Sequence, residues 1–440
     1  MSATSAMSLS YTEQPHRRDL SSATPDVPIT RRAWFILPAL LTIAVCCDPT
    51  RFFTHERYKQ LPLLLMLMLF AYAFYSARFV LSQMSIPAWC FAVLVLLATP
   101  GLVLNKLDHA PSSLFSAVGM ALIPVTIYCM PARWIRMEGK SFLRWIWWIG
   151  MGFILGAIFQ ILLDKRGLAN TRIHERSFLA PLAIVIPLVM RRYKTAAFAT
   201  AGAGLILLLD PRTTLLIALA ITASLSAFLF FMDSTARRMS ALLFVALVVA
   251  IAAVGPSALR GIDRQFKSSV GMSDNGRFRA GLLETGSKLF WQSPFIGDFF
   301  RGGTSFESGA FEKDELGNWQ EIHAPLHNDY LEFATKGGAL GAGLLITGLV
   351  STFILAVRNH FVLRSNRRDE LAGAQGALAI AIASLMFTIL VNPVLNTPEC
   401  GLPAFFLISL VCLGDRYIRI HQLKTVSSHI SPAEGKGKIS

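Results

Sequence analysis

The chain is predicted to fold as an all-α polytopic membrane protein, with about 12 transmembrane helices and one long extracytoplasmic loop containing short helices. Three observations carry this expectation. Hydrophobic residues make up 53% of the 440, and charged residues only 15%. With a mean hydropathy of +0.51, the apolar content exceeds what a soluble core needs. The apolar residues fall in runs near one membrane thickness, and the basic residues between the runs sort the loops onto two sides.

Residues 1–32 are rich in Ser, Thr and Pro, carry mixed charge and lack an apolar stretch, which reads as a disordered cytoplasmic tail. No cleavable signal peptide is expected. Arg31 and Arg32 abut Ala33 to Cys47, so that run reads as a signal-anchor helix with its amino end in the cytoplasm. Further spans are expected near 61–80, 86–107, 112–131, 145–163, 177–190, 195–209, 213–232 and 240–256. The first nine spans thus occupy 33–256, and 257–336 forms the one sizeable extramembrane loop domain. Spans near 337–357, 371–391 and 401–413 close the bundle within 337–413, leaving 414–440 as a basic cytoplasmic tail.

The six cysteines (Cys46, Cys47, Cys90, Cys129, Cys400 and Cys412) form no C-x-x-C pair and lie mostly in or beside apolar runs. They read as small buried hydrophobes, forming neither a disulfide framework nor a zinc site. A Cys47–Cys400 bridge at the outer face is conceivable.

Loop charge tests the topology. Arg133, Arg136, Lys140 and Arg144, then Arg191, Arg192 and Lys194, then Arg237 and Arg238, then Arg358, Arg364, Arg367 and Arg368 all fall in inside loops. Arg416, Arg419 and Lys424 of the carboxyl tail fall on the same side, as the positive-inside rule requires. Both termini are therefore expected in the cytoplasm and the long loop outside it.

Arginines that break the rule are the informative ones. Arg172, Arg176, Arg212, Arg260, Arg264, Arg277, Arg279 and Arg301 all fall on the outer side. Guanidinium groups bind phosphate oxygens through a bidentate fork and keep their charge, which suits an anionic ligand such as a diphosphate. Anchoring to lipid headgroups, or pairing with Asp263, Asp274, Glu284 or Asp298, is the competing reading. Arg212 sits in the short Asp210-Pro211-Arg212 turn between two spans, which forces it to the membrane surface. Arg277 follows the cap and turn residues Ser273-Asp274-Asn275-Gly276. It opens a segment whose apolar positions, Phe278, Leu282, Leu283, Leu289 and Phe290, repeat at helical spacing. That segment reads as an amphipathic helix near the membrane, ended by Ser293-Pro294.

His327 heads His327-Asn328-Asp329-Tyr330-Leu331-Glu332, just before the span that begins at Gly337. An imidazole there can take a proton from a hydroxyl of a lipid-linked substrate. His323 competes for the role, and Asn328 is a further polar candidate. Gly337, Gly338, Gly341 and Gly343, with Ala334, Ala339 and Ala342, give the helix a small-residue face for close packing. The stretch from Gly302-Gly303-Thr304-Ser305 through Gly317-Asn318 reads as a mobile loop. No G-x-x-x-x-G-K-[ST], G-x-G-x-x-G or H-E-x-x-H motif occurs.

The block Asn275-Gly276-Arg277 through Trp291, Pro294, Phe295, Ile296 and Gly297, followed by His327 to Leu331 and Gly337 to Gly341, resembles the signature of the O-antigen ligase and O-antigen polymerase superfamily. Asp210-Pro211-Arg212-Thr213-Thr214-Leu215-Leu216 resembles its Ser-Arg-Gly segment. The likeness covers roughly residues 205 to 350. Pro211, Thr213 and Asp298 depart from the pattern.

The resemblance implies an inverting, metal-independent, cofactor-free glycosyltransferase of the bacterial inner membrane, with its site and long loop in the periplasm. Carried onto this chain, it makes His327 the general base and Arg212 and Arg277 the diphosphate ligands, with Arg279, Arg172 and Arg176 as weaker substrate contacts. Its partners would be an undecaprenyl-diphosphate-linked glycan donor, a lipid A-core or glycan acceptor and membrane lipids, with a chain-length regulator conceivable and no nucleic acid. Ligase is favoured over polymerase because the loop after the ninth span is single and moderate in size. A protein O-oligosaccharyltransferase is a third reading. A non-enzymatic transporter of lipid-linked glycans would instead call for charges within the spans and internal repeats.

Overall fold

The structure is a computed structural model that describes residues 27–48, 83–105, 121–164, 173–209, 213–230, 274–298, 300, 306–313, 319–324, 326, 328–392, 394–395 and 398–429. Helices α1 (Ala33–Cys47), α2 (Ile86–Asn105), α3 (Ile123–Cys129), α4 (Gly139–Asp164), α5 (Ala180–Val189), α6 (Tyr193–Leu209) and α7 (Thr213–Phe230) come first. They are followed by α8 (Asp274–Gln292), strands β1 (Phe306–Lys313) and β2 (Trp319–Ala324), then α9 (Asp329–Ser365), α10 (Asp369–Val391) and α11 (Pro398–His429).

The protein is a multi-pass membrane protein built mainly of helices, and among the described residues four helices are long and apolar enough to cross a membrane: Gly139–Leu163, Asp329–Ser365, Asp369–Val391 and Cys400–His421. The expected count of twelve is not reached there. Four expected spans appear as shorter apolar helices, Phe35–Cys47, Ile86–Gly101, Tyr193–Leu209 and Thr214–Ser226. Those expected at 61–80 and 240–256 lie outside the described residues, as does the 112–120 part of the span expected at 112–131, whose described part holds only the short α3. The span expected at 177–190 breaks into a 3-10 segment, Ile173–Leu179, and the short α5, with Pro181 in its first turn and Pro187 inside it. Pro187 removes an amide donor from the helical ladder, while Pro181, in the first turn, favours a helix start there.

Antiparallel packing sets two ends. The Ile29 N–H donates to the Arg136 carbonyl at 2.8 Å, so the start of α1 lies beside the segment leading into α4. At that same end a Cβ added to Gly139 would meet Glu370, one added to Gly373 would meet Val189, and Arg358 of α9 pairs with Asp415 of α11. The basic segments near 133–144, 191–194, 358–368 and 416–419 therefore gather at one end of the bundle, as loop charge predicts. Within the tail expected from residue 414, residues 414–429 continue α11. Arg416 is buried there, with its guanidinium on the Ile127 and Met130 carbonyls at the end of α3. Those carbonyls have no acceptor role left inside their own helix, and a guanidinium supplies the donors.

The opposite end carries a hairpin that the loop reading missed. β1 and β2 pair antiparallel from Phe306↔Ala324 to Lys313↔Trp319, with an irregularity between Glu307 and Phe311. Gly309 lies inside that irregularity, where extra residues bulge the strand. Leu282 of α8, Phe306 and Leu326 form a small core beneath the hairpin, with Leu289 and Leu331 packed against it.

All described cysteines are free. Cys400 does not bridge to Cys47; its thiol donates to Glu175 Oε2 at 3.8 Å.

Candidate active site at the hairpin end

Three elements that bear sequence-predicted site residues meet at the hairpin end: α8, β2 and the start of α9. The start of α9 is held on every side. Asn328 is its N-cap, with Oδ1 accepting the Leu331 N–H at 3.0 Å. This satisfies an amide that has no partner within the first turn. Asp329 is fully buried, and one oxygen, Oδ2, accepts both the Val394 and Leu395 N–H at 2.8 Å. That carboxylate ties α9 to the connection between α10 and α11. The Tyr330 hydroxyl donates to the Met386 carbonyl of α10 at 3.0 Å. Leu331 meets α8, where a Cβ on Gly286 would stand 3.0 Å from it.

At its tenth residue α9 breaks. Gly338 has φ 62 and ψ −165, a conformation open to glycine and strained for other residues. The break frees the Lys336 carbonyl and the Ala339 and Leu340 amides. The segment that follows α8 satisfies all three: Phe300 N–H donates to Lys336 O at 2.9 Å, Ala339 N–H to Pro294 O at 2.7 Å and Leu340 N–H to Phe295 O at 3.1 Å. Gly297, at φ 60, faces the break. A Cβ on it would stand 2.5 Å from the Lys336 carbonyl carbon, and one on Gly338 would run into the Phe295–Ile296 peptide. Phe300 plugs the gap, packing its ring on Phe333 at 5.7 Å. The glycine run is thus more than a packing face, because its central member makes a backbone joint.

An ion pair crosses the same joint. Lys336 Nζ lies 3.3 Å from Asp298 Oδ2 and 5.1 Å from the centroid of the Phe306 ring. Burial pushes the Asp298 carboxyl above its ordinary range, against the pull of Lys336 in the other direction. The sequence offers Asp298 as a departure from a pattern and as a possible arginine partner; its partner here is Lys336, which the sequence does not single out.

Each predicted residue has a definite standing. His327, Arg212 and Arg172 lie outside the described residues. They are bracketed by described ones: Leu326 and Asn328 at the start of α9, Leu209 and Thr213 between α6 and α7, and Ile173 at the 3-10 segment. Arg277 lies on the first turn of α8, and Arg279, two residues on, is exposed. His323 is on β2, opposite Glu307. Arg176 is buried, and its guanidinium donates to the Val45 carbonyl in the last turn of α1. Beside the joint, Trp291 is 71% exposed, Phe295 79% and Leu340 47%, as side chains at a membrane interface are.

A family model described as O-antigen ligase matches residues 195–346. The match runs from α6 through α8 and the hairpin to the part of α9 beyond its break. No curated protein matches the chain.

Proposed function

We propose, from the match of residues 195–346 to a family model described as O-antigen ligase, that this chain is an inverting glycosyltransferase that moves O-antigen glycan from undecaprenyl diphosphate to a hydroxyl of lipid A-core. The observation that carries this reading is the matched segment itself. It takes in the positions of Arg212, Arg277 and His327 and the joint that seats α9 against α8.

In the proposed step the His327 imidazole, through a neutral ring nitrogen, takes the proton of the acceptor hydroxyl. The oxygen attacks the anomeric carbon, the bond from that carbon to the phosphate oxygen breaks, and configuration inverts. The electron pair leaves on undecaprenyl diphosphate, whose growing negative charge Arg212 and Arg277 meet with forked donors. His327 then returns its proton to solvent. Neither a metal nor a cofactor takes part, so turnover is expected to be unchanged by EDTA. Arg279 is the better second-line contact because it is exposed, whereas the Arg176 guanidinium is engaged on α1. The hairpin end faces the periplasm in this reading, and the end where the basic segments gather faces the cytoplasm.

The test is transfer by purified His327→Ala with a lipid-linked glycan donor. A loss of about 10²- to 10⁴-fold with expression intact is expected for a missing general base, and wild-type turnover would refute the assignment. Lipopolysaccharide profiling of a deletion strain then separates the reactions. Core without any O-chain, beside accumulating lipid-linked polymer, indicates ligase, while core carrying a single repeat indicates polymerase.

A further inference from the structure

Lys336 is a charged group where packing alone does not require one. Its side chain is 8% exposed, against 42% for its partner Asp298. Burying an ammonium costs free energy that a methionine of similar length would not, and an ion pair seldom recovers all of it. Nor do the segments lack other attachment, since the Gly297–Gly338 contact, the three backbone hydrogen bonds and the Phe300–Phe333 stack already join them. What the ammonium adds is direction. It meets the connection after α8 at Asp298 and the base of β1 at Phe306, from a residue two turns past the Asn328 cap.

We propose that Lys336 is a positioning residue for the transfer reaction, which through Asp298 and Phe306 fixes the angle of α8 and of the hairpin against the start of α9. The proposal rests on the function proposed above, because only then must the first turn of α8 and the start of α9 hold one spacing. About 22 Å of helix separates Arg277 from Gln292 at 1.5 Å per residue. A tilt of about 3° at the joint therefore moves the first turn by about 1 Å, and a misplacement of that size costs about 10² in rate.

The experiment uses the full chain in lipid nanodiscs, with an undecaprenyl-diphosphate-linked glycan as donor and lipid A-core as acceptor. In Lys336→Met, kcat is expected to fall about 10²-fold while the donor KM stays within about threefold. Asp298→Asn is expected to show the same split, and the double variant to be no worse than Lys336→Met alone, as coupled partners behave. Wild-type kcat in Lys336→Met overturns the proposal. So does a raised KM at unchanged kcat, which would make Lys336 a ligand of the donor, and so do losses that add in the double variant. If Lys336→Met does not fold, Asp298→Asn decides alone, because its half-exposed side chain leaves no cavity, and wild-type kcat there overturns the positioning role. Retained activity in His327→Ala would defeat the proposed function instead. An inactive His327→Ala beside a fully active Lys336→Met would defeat the positioning role alone.

Discussion

Where the basic segments gather, polar side chains tie one packed helix directly to another. Asn359 of α9 donates to Gln375 Oε1 of α10 and to the Val411 carbonyl of α11, both at 3.2 Å, and Gln375 donates to the Leu410 carbonyl at 3.2 Å. His360 Nδ1 meets the Ala372 carbonyl at 2.7 Å. At the hairpin end, beside the one Tyr330–Met386 bond between α9 and α10 described above, polar groups tie helices to connecting segments: Asp329 holds residues 394–395, and Lys336 holds Asp298. Helices keep their places through apolar packing when one such bond is lost, and interhelical hydrogen bonds in membranes contribute only about 0.6 kcal/mol on average. The connecting segments at the hairpin end are packed too, with Phe300, Val394 and Leu395 fully buried, so the polar groups there set the geometry of the proposed site rather than hold the segments in place. Damage at one end should therefore register in stability, and damage at the other in catalysis.

The sharpest way to break this contrast is to alter the proposed diphosphate ligands at the hairpin end. Arg212→Lys and Arg277→Lys each retain a positive charge but lose the fork, and each is expected to lower kcat about 10²-fold with little change in unfolding midpoint. Full activity in both would return these arginines to headgroup anchoring. Next in size is Gly338→Ala, which forces a side chain into a positive φ and against the Phe295–Ile296 peptide. It is expected to cost about 3 kcal/mol and to reduce turnover by unseating the joint. Gly343→Ala, where a Cβ meets nothing, should match the wild type in both melting and rate. Equal behaviour of the two glycine variants would show that the joint is not structural.

The same contrast explains what sequence alone conveyed. Long apolar runs such as 371–391 were legible because hydropathy is local, and α10 extends that run by only two residues at its start. The amphipathic α8 was legible from helical spacing, and it ends at Gln292, just before Ser293 and Pro294. The hairpin was not, because its strands are short and polar and their pairing with α8 is nonlocal. Gly338 looked like part of a packing face, since its partner Gly297 lies on a distant segment and only their contact reveals the break. Arg416 looked like a tail charge because nothing nearby in sequence shows that it caps α3. Of the proposed site, the residue types and order were readable, whereas the supports Asp329, Lys336 and Asp298 emerge only from contacts between segments.

Apart from the neutral Gly343→Ala, the smallest expected effect belongs to the other end of the bundle. Asp415 is fully buried, accepts Arg419 Nε at 2.8 Å and the Tyr128 hydroxyl at 3.2 Å, and lies 3.5 Å from Arg358 Nη1. Asp415→Asn removes the charge but keeps an acceptor for Tyr128. The two arginines it abandons are 51% and 38% exposed, so both can turn to water and neither is left buried and unpaired, which is the costly outcome of breaking an ion pair. About 1 kcal/mol of stability should be lost, a shift of a few degrees at most in the unfolding midpoint. Turnover should be unchanged, because α9 and α11 remain packed and the joint at Gly338 lies at the far end of α9. A fall in kcat of tenfold or more in Asp415→Asn, without a matching loss of folded protein, would mean that the two ends are coupled and that α9 transmits strain along its length.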